Sequence, residues 1–185
     1  ISSLAGIEGF VALQELHIRY SPLVNLDLSQ NIALTYLSCT GSQLASLDVS
    51  NNTDLTYLDC YNNQLTSLDL SQNLELDYLR CASNQLGSLN ISQNVNLTYL
   101  DCHSSQLISL DVSQNIELIL LMCSGNLLTS LDVSENIVLA ELHCSNNQLT
   151  SIDVSQNIAL LEFGCLGNQL TVLDVSSNSL LKLLA

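Results

Sequence analysis

Cysteine has the widest range of chemistry in this sequence, and all seven cysteines are spaced at intervals of 21 residues. Thiols can form disulfides, bind metal ions or act as nucleophiles. A spacing this regular indicates that each copy of one structural unit places a thiol at the same point. This cysteine column consists of Cys39, Cys60, Cys81, Cys102, Cys123, Cys144 and Cys165.

Each of these chemistries fits the cysteine column poorly. On neighbouring parallel strands the cysteines would lie about 4.8 Å apart, more than the ~3.8 Å between the Cβ atoms of a disulfide, and their number is odd. A straight column offers no tetrahedral enclosure for a metal ion, and a thiol in an apolar interior has little thiolate. We therefore predict free, buried thiols that serve as small core residues, unreactive in the native protein and all titratable in denaturant.

The same period governs the rest of the chain. Leucine recurs five residues after each cysteine, and asparagine recurs thirteen residues after each cysteine. A fixed period of this length predicts a solenoid, in which each copy packs only on its neighbours. We predict a single array over residues 1–185, with a partial lead-in at 1–12, eight repeats at 13–180 and a truncated ninth at 181–185.

Two segments of each copy alternate between apolar and polar residues, as in TYLDC at 56–60 and SLDVS at 46–50. Alternation with period two predicts strands with one buried face, and the Asn, Ser and Gln residues between them favour turns. We predict a curved, right-handed coil that is mostly β. Its concave face carries a parallel sheet, and its convex face carries short strand or 3₁₀ segments with little or no α-helix.

The segment LTYLDCYNNQL at 55–65 matches the leucine-rich repeat core L-x-x-L-x-[LC]-x-x-N-x-L. Together with TSLDLSQN at 66–73 it resembles the 21-residue cysteine-containing repeats of internalin J-like bacterial proteins, and GIEGF at 6–10 is similar to the lead-in of such arrays. The resemblance implies a secreted or surface-anchored bacterial protein, whose targeting segment lies outside this sequence, that binds a ligand inside its curve. Four positions depart from the repeat pattern: Ser21, Ser42, Ser105 and Asn90.

The charge of the chain argues against two classes of partner. The formal net charge is −15, and the only basic residues are Arg19, Arg80 and Lys182. Three scattered cations cannot neutralise a phosphate backbone, so a nucleic-acid partner is not expected. No apolar run approaches the roughly 20 residues that span a bilayer, so membrane insertion is not expected either.

A column of aspartates has two interpretations. Either each carboxylate accepts backbone or serine hydrogen bonds in the D-V-S-x-N turn, or the carboxylates form a ladder of Ca²⁺ ligands. No glycine-rich calcium loop accompanies them, so we predict no cofactor, with Ca²⁺ as the alternative. The aspartates are Asp27, Asp48, Asp69, Asp111, Asp132, Asp153 and Asp174.

The variable positions of the predicted sheet carry the candidate binding residues. Tyrosine occupies one position in four consecutive copies, which suits either recognition of a ligand or stabilisation of the sheet by aromatic stacking. Beside it, Asp59, Arg80 and Asp101 alternate in sign as a predicted surface ion-pair ladder, which is worth little in itself. The candidate site comprises Tyr36, Tyr57, Asp59, Tyr61, Tyr78, Arg80, Tyr99, Asp101 and His103.

Catalysis is not expected from this arrangement. His17 and His143 are six strands apart, about 29 Å, so the histidines cannot assemble a metal site together. Asp101 and His103 share a face, but no recognisable nucleophile motif accompanies them. We predict a non-enzymatic module that binds a protein ligand through the concave sheet. The alternatives are glycan binding along the tyrosines and a rigid acidic spacer.

Overall fold

The computed structural model describes residues 2–185 and contains one parallel sheet of nine strands that follow one another in chain order. Eight strands have three residues and the last has two, and each pairs with the next. The predicted solenoid with a parallel sheet and almost no helix is therefore confirmed. The strands are Glu15–His17 (β1), Tyr36–Ser38 (β2), Tyr57–Asp59 (β3), Tyr78–Arg80 (β4), Tyr99–Asp101 (β5), Leu120–Met122 (β6), Glu141–His143 (β7), Glu162–Gly164 (β8) and Leu183–Leu184 (β9).

Pairing in register places equivalent residues of successive copies side by side. Leu58 lies opposite Leu37 on one side and Leu79 on the other. The backbone pairing continues through the cysteine column, since the Cys60 N–H donates to Arg80 O at 2.8 Å. Each column of the sequence therefore becomes a line that runs across the sheet.

Helix is confined, in the described residues, to a single 3₁₀ turn at Ile7–Gly9. This turn is attached to the first repeat because Asn31 Nδ2 donates to Ile7 O at 2.9 Å and to Phe10 O at 3.0 Å. Across residues 2–185 no helix has the length and apolar character that crossing a bilayer requires.

The second alternating segment keeps the predicted alternation of burial but forms no strand. Leu47 and Val49 are buried while Asp48 between them is exposed. The Val49 carbonyl accepts from Asn52 N–H at 3.0 Å and from Asn73 Nδ2 at 3.0 Å. Because a turn and a side-chain amide already use this carbonyl, the segment lacks the backbone ladder of the sheet.

Each strand gives way to a turn two residues after the cysteine position, where the backbone is left-handed. The φ angles of these residues lie between 53° and 68°. Glycine adopts this region freely and asparagine tolerates it, which accounts for their recurrence there. The residues are Gly41, Asn62, Ser83, Ser104, Gly125, Asn146 and Gly167.

The core is one continuous apolar column between the sheet and the turns. Leu58, Leu65 and Leu76 of the third copy are fully buried, and their equivalents repeat along the array. Phe163 replaces leucine at one strand centre without exposure. Because one copy has neighbours on both sides, its apolar face is covered only within the stack.

Two ladders of buried asparagines hold neighbouring copies together. In the first, represented by Asn126, Nδ2 donates to Cys102 O at 3.0 Å and Cys123 O at 2.9 Å. Its Oδ1 accepts from the N–H groups of Ser105 and Leu107, both at 3.0 Å. All four hydrogen-bonding positions of this amide are therefore used.

The second ladder uses only half of each amide. Asn115 Nδ2 donates to Ile91 O at 3.1 Å and Asn94 O at 2.8 Å, but its buried Oδ1 has no partner. Both carbonyls also accept a backbone N–H, from Asn94 and Leu97 respectively. The same pattern holds at Asn31, Asn52, Asn73, Asn94, Asn136, Asn157 and Asn178.

This difference predicts unequal costs for two alanine substitutions. Asn126→Ala orphans two backbone N–H groups, each worth about 1–3 kcal/mol when buried without a partner. Asn115→Ala leaves its two carbonyls with a backbone donor each. Urea unfolding should show Asn126→Ala to be less stable than Asn115→Ala by about 2 kcal/mol or more. Equal losses of unfolding free energy would contradict this account of the two ladders.

Candidate functional site

The four predicted tyrosines form a continuous stack on the outward side of the sheet, here called the sheet face. The ring centroids of Tyr36 and Tyr57 are 4.0 Å apart, those of Tyr57 and Tyr78 are 4.2 Å apart, and those of Tyr78 and Tyr99 are 4.1 Å apart. Adjacent rings are within 11° of parallel. The register of β2 to β5 produces this tyrosine stack directly, because each Tyr lies opposite the next.

Stacking covers the faces of the inner rings. Tyr57 and Tyr78 each have a ring on both sides, and the tilted His17 ring lies 4.6 Å from Tyr36. Burial is the main cause that raises the pKa of Tyr57 to about 12, and it also raises the pKa of Tyr78. The tyrosine stack therefore offers ring edges and protonated hydroxyls to a ligand.

The other five predicted residues also come together, in what we call the Arg80 cluster: Asp59, Tyr61, Arg80, Asp101 and His103. Arg80 Nε donates to Asp101 Oδ2 at 3.2 Å, and Arg80 Nη1 lies 3.9 Å from Asp59 Oδ2. The guanidinium carbon is 4.0 Å from the centre of the Tyr61 ring. His103 Nδ1 is 2.6 Å from Asp101 Oδ1.

The carboxylates of the Arg80 cluster are more buried than a surface ion-pair ladder would be. The side chain of Asp101 is 2% exposed and that of Asp59 is 7% exposed, against 31% for Arg80. The prediction of a surface ladder is therefore wrong for both aspartates, because Arg80, Tyr61 and His103 contact them from the solvent side. A buried carboxylate that loses its partner is costly, so these aspartates fix the positions of Arg80 and His103.

The cysteines match the predicted core role with one exception. Six are buried and free, whereas Cys165 is free but partly exposed, so its predicted burial is wrong. Only the two-residue strand β9 follows its copy. Burial raises the pKa of Cys39 to about 12 and that of Cys144 to about 12, and it raises the pKa of Cys102 well above its usual value. These thiols are protonated in the native protein.

The aspartate column makes the turn hydrogen bonds of the structural interpretation. Asp111 Oδ1 accepts from the Ser113 N–H at 2.9 Å, and Asp132 does the same with Ser134 at 2.9 Å. These hydrogen bonds lower the pKa of both exposed carboxyls. Each aspartate thus closes a turn, and the Ca²⁺ alternative stays untested.

One group on the sheet face was missed by reasoning from the sequence. Glu141, His143 and Glu162 place one ligand atom each within 4.8 Å of the other two. The sequence analysis asked only whether histidines could pair with one another. Two glutamates in adjacent copies beside a histidine were the available signal.

The buried thiols predict a specific dependence of stability on alkaline pH. A thiol with a raised native pKa stabilises the protein below about pH 8.5, its unfolded pKa, and loses this contribution as pH rises toward the native pKa. The unfolding free energy of Cys102→Ala should therefore fall less steeply between pH 9 and pH 11, by about 1.4 kcal/mol per pH unit. The partly exposed Cys165→Ala serves as the control and should show a smaller change of slope. Parallel curves for the parent and Cys102→Ala would contradict burial of that thiol.

Comparison with solved structures finds the functional domain of InlJ from Listeria monocytogenes, described as including a cysteine ladder. It is 43% identical to this chain with a TM-score of 0.81, and the match covers 100% of this chain and 46% of that one. This chain therefore spans less than half the length of the InlJ domain. No protein-family model matches the sequence, and no curated protein matches it.

Two further structures share the fold alone. An internalin, InlF from Listeria monocytogenes, is 19% identical with a TM-score of 0.73, over 94% of this chain and 60% of that one. The leucine-rich repeat ectodomain of the plant receptor kinase GASSHO1/SCHENGEN3 from Arabidopsis thaliana, solved in complex with CASPARIAN STRIP INTEGRITY FACTOR 2, is 23% identical with a TM-score of 0.83, over 93% of this chain and 24% of that one.

The 21-residue period, the buried cysteine column and the parallel sheet agree with the similarity to the cysteine ladder of InlJ. The chain is a leucine-rich repeat protein with 21-residue, cysteine-containing repeats of the internalin J-like kind.

Proposed function

We propose that this array is a non-enzymatic recognition module that binds a protein ligand through the part of the sheet face formed by β2 to β5. The observation that carries the proposal is the meeting of the tyrosine stack with the Arg80 cluster on one face. Tyr57 and Asp59 are the first and third residues of β3, and Tyr78 and Arg80 are the first and third residues of β4. The two groups are therefore two residues apart on adjacent strands.

The division of labour within a repeat supports this location. Leucines and cysteines fill the core, asparagines join the copies, and aspartates close the turns. The positions on the sheet face instead vary between copies and carry Tyr, Arg, His, Glu and Met. Side chains that the fold does not require to be uniform are the ones available for recognition.

The residue types suit a protein ligand. Tyr and Arg are enriched among the residues that contribute most to protein interfaces. The tyrosine stack orders its rings in advance, and Arg80 is held between Asp101 and the Tyr61 ring. Binding to an ordered surface costs less side-chain entropy, which favours affinity.

The two alternatives fit these contacts less well. Sugar rings stack on free aromatic faces, whereas the faces of Tyr57 and Tyr78 are covered by neighbouring tyrosines. A pure spacer would have no need of a tyrosine stack in half of its copies. The resemblance to internalins from Listeria supports a secreted or surface-attached bacterial protein as the setting.

A binding screen with paired variants tests this function. The full chain is immobilised and probed with an array of purified secreted proteins and receptor ectodomains, and in parallel with a glycan array. For a protein that binds, Arg80→Ala and the double variant Tyr57→Ala with Tyr78→Ala should each weaken affinity about tenfold or more. The matched control, Gln72→Ala with Gln93→Ala, changes exposed residues on the turn side and should bind normally.

Three outcomes would count against the proposal. Glycan hits that depend on the tyrosines would favour the sugar-binding alternative. Protein hits that survive both sheet-face changes would place binding elsewhere. Absence of any hit on either array would favour the spacer. Circular dichroism of each variant shows whether a loss of affinity reflects a loss of fold.

A further inference from the structure

Three potential metal ligands converge at the β7–β8 end of the sheet face. Glu141 and His143 are the first and third residues of β7, so their side chains share a face, and Glu162 lies directly opposite Glu141 on β8. Their ligand atoms lie within 4.8 Å of one another, and Glu141 Oε2 is 3.9 Å from His143 Nε2. An ion at the centre of such a triangle is at most about 2.8 Å from each atom. Small side-chain rotations would bring these distances to the roughly 2.0–2.2 Å of zinc ligands.

The charges of this group are not balanced by protein cations. Like charges directly opposite each other on neighbouring strands repel. Among the described residues, no Lys or Arg nitrogen lies within 4 Å of either the Glu141 or the Glu162 carboxylate, whereas Asp59 and Asp101 share Arg80. A bound cation would replace this repulsion with attraction to both carboxylates.

The neighbouring residues leave room for the histidine ring and shield the carboxylates. Gly164 lies opposite His143, and a Cβ at Gly164 would be 3.3 Å from His143 Nδ1, so only glycine leaves that side of the imidazole open. Leu120 and Leu183 flank the two glutamates in the same column. Apolar neighbours reduce the screening of the charges by water and strengthen attraction to an ion.

The donor set selects a class of ion. One imidazole nitrogen and two carboxylate oxygens suit Zn²⁺ and other divalent transition metals, whereas Ca²⁺ and Mg²⁺ prefer oxygen ligands alone. Three protein ligands leave at least one coordination position for water or another group. We propose that Glu141, His143 and Glu162 form a binding site for a divalent transition-metal ion, for which Zn²⁺ is the test ion. The site is three strands away from Arg80 and does not depend on the proposed function.

The chain contains its own control for this site. Residues 15–17 repeat the sequence E-L-H of residues 141–143, and Glu15 Oε2 is 3.6 Å from His17 Nε2. The residue opposite Glu15 is Tyr36, which offers no carboxylate. A glutamate–histidine pair alone is therefore present at β1, and the third ligand distinguishes the β7–β8 site.

Calorimetric titration of the EDTA-treated full chain tests the assignment. We expect one Zn²⁺ per chain and no comparable binding of Mg²⁺ or Ca²⁺. Glu162→Gln and His143→Gln should each weaken Zn²⁺ binding about tenfold or more, and Glu15→Gln with His17→Gln should leave it unchanged. Two single variants are used so that one misfolded protein, detected by circular dichroism, does not remove the test.

A spectroscopic measurement separates this site from the thiols. Cys165 is partly exposed and is the thiol most able to compete for the ion. The Co²⁺-loaded chain should show ligand-field bands without a thiolate-to-cobalt charge-transfer band, and Cys165→Ser should bind Zn²⁺ normally. Loss of binding in Cys165→Ser, normal affinity in a folded Glu162→Gln protein, or no Zn²⁺ binding by the parent chain would each overturn the proposal.

Discussion

Hydrogen bonding in register between successive copies is the interaction on which the rest of this structure depends. Backbone pairing extends from β1 to β9, and asparagine amides join the turns behind it. One copy of 21 residues buries too little apolar surface to offset its loss of conformational entropy. Stacking supplies the missing contacts and hydrogen bonds, so the stable unit is the array.

The same register decides the chemistry of every column. Identical side chains become nearest neighbours, which suits leucine, cysteine and tyrosine because they pack or stack on their own kind. Carboxylates respond differently, because neighbours repel unless a turn N–H, an arginine or another cation lies close to them. The aspartate column uses the serine N–H, the Arg80 cluster uses a guanidinium, and the pair Glu141 and Glu162 has neither. Variation between copies on the sheet face is therefore where function can differ from structure.

Column membership was predictable from the sequence, but the surroundings of a side chain were not. The period placed Tyr57 beside Tyr78 and Cys60 in the core, because both follow from spacing alone. The near-complete burial of Asp101 depends on how Arg80 and His103 fold over it, and spacing does not specify rotamers. The second predicted strand failed for a related reason: alternation predicts burial correctly, but Asn73 and a turn use the carbonyl of Val49 that a ladder would need. The group formed by Glu141, His143 and Glu162 was missed because each column was searched for one residue type at a time.

Deletion of one whole copy tests the register most directly. Removal of residues 109–129 joins Ile108 to Ser130 and restores the repeat pattern across the junction. This shortened chain should keep its far-ultraviolet circular dichroism and unfold in one cooperative transition. Removal of 20 residues, 109–128, shifts every later column by one position and should destroy that transition, because a one-residue slip turns buried side chains outward. Equal stability of the two deletions would contradict the account.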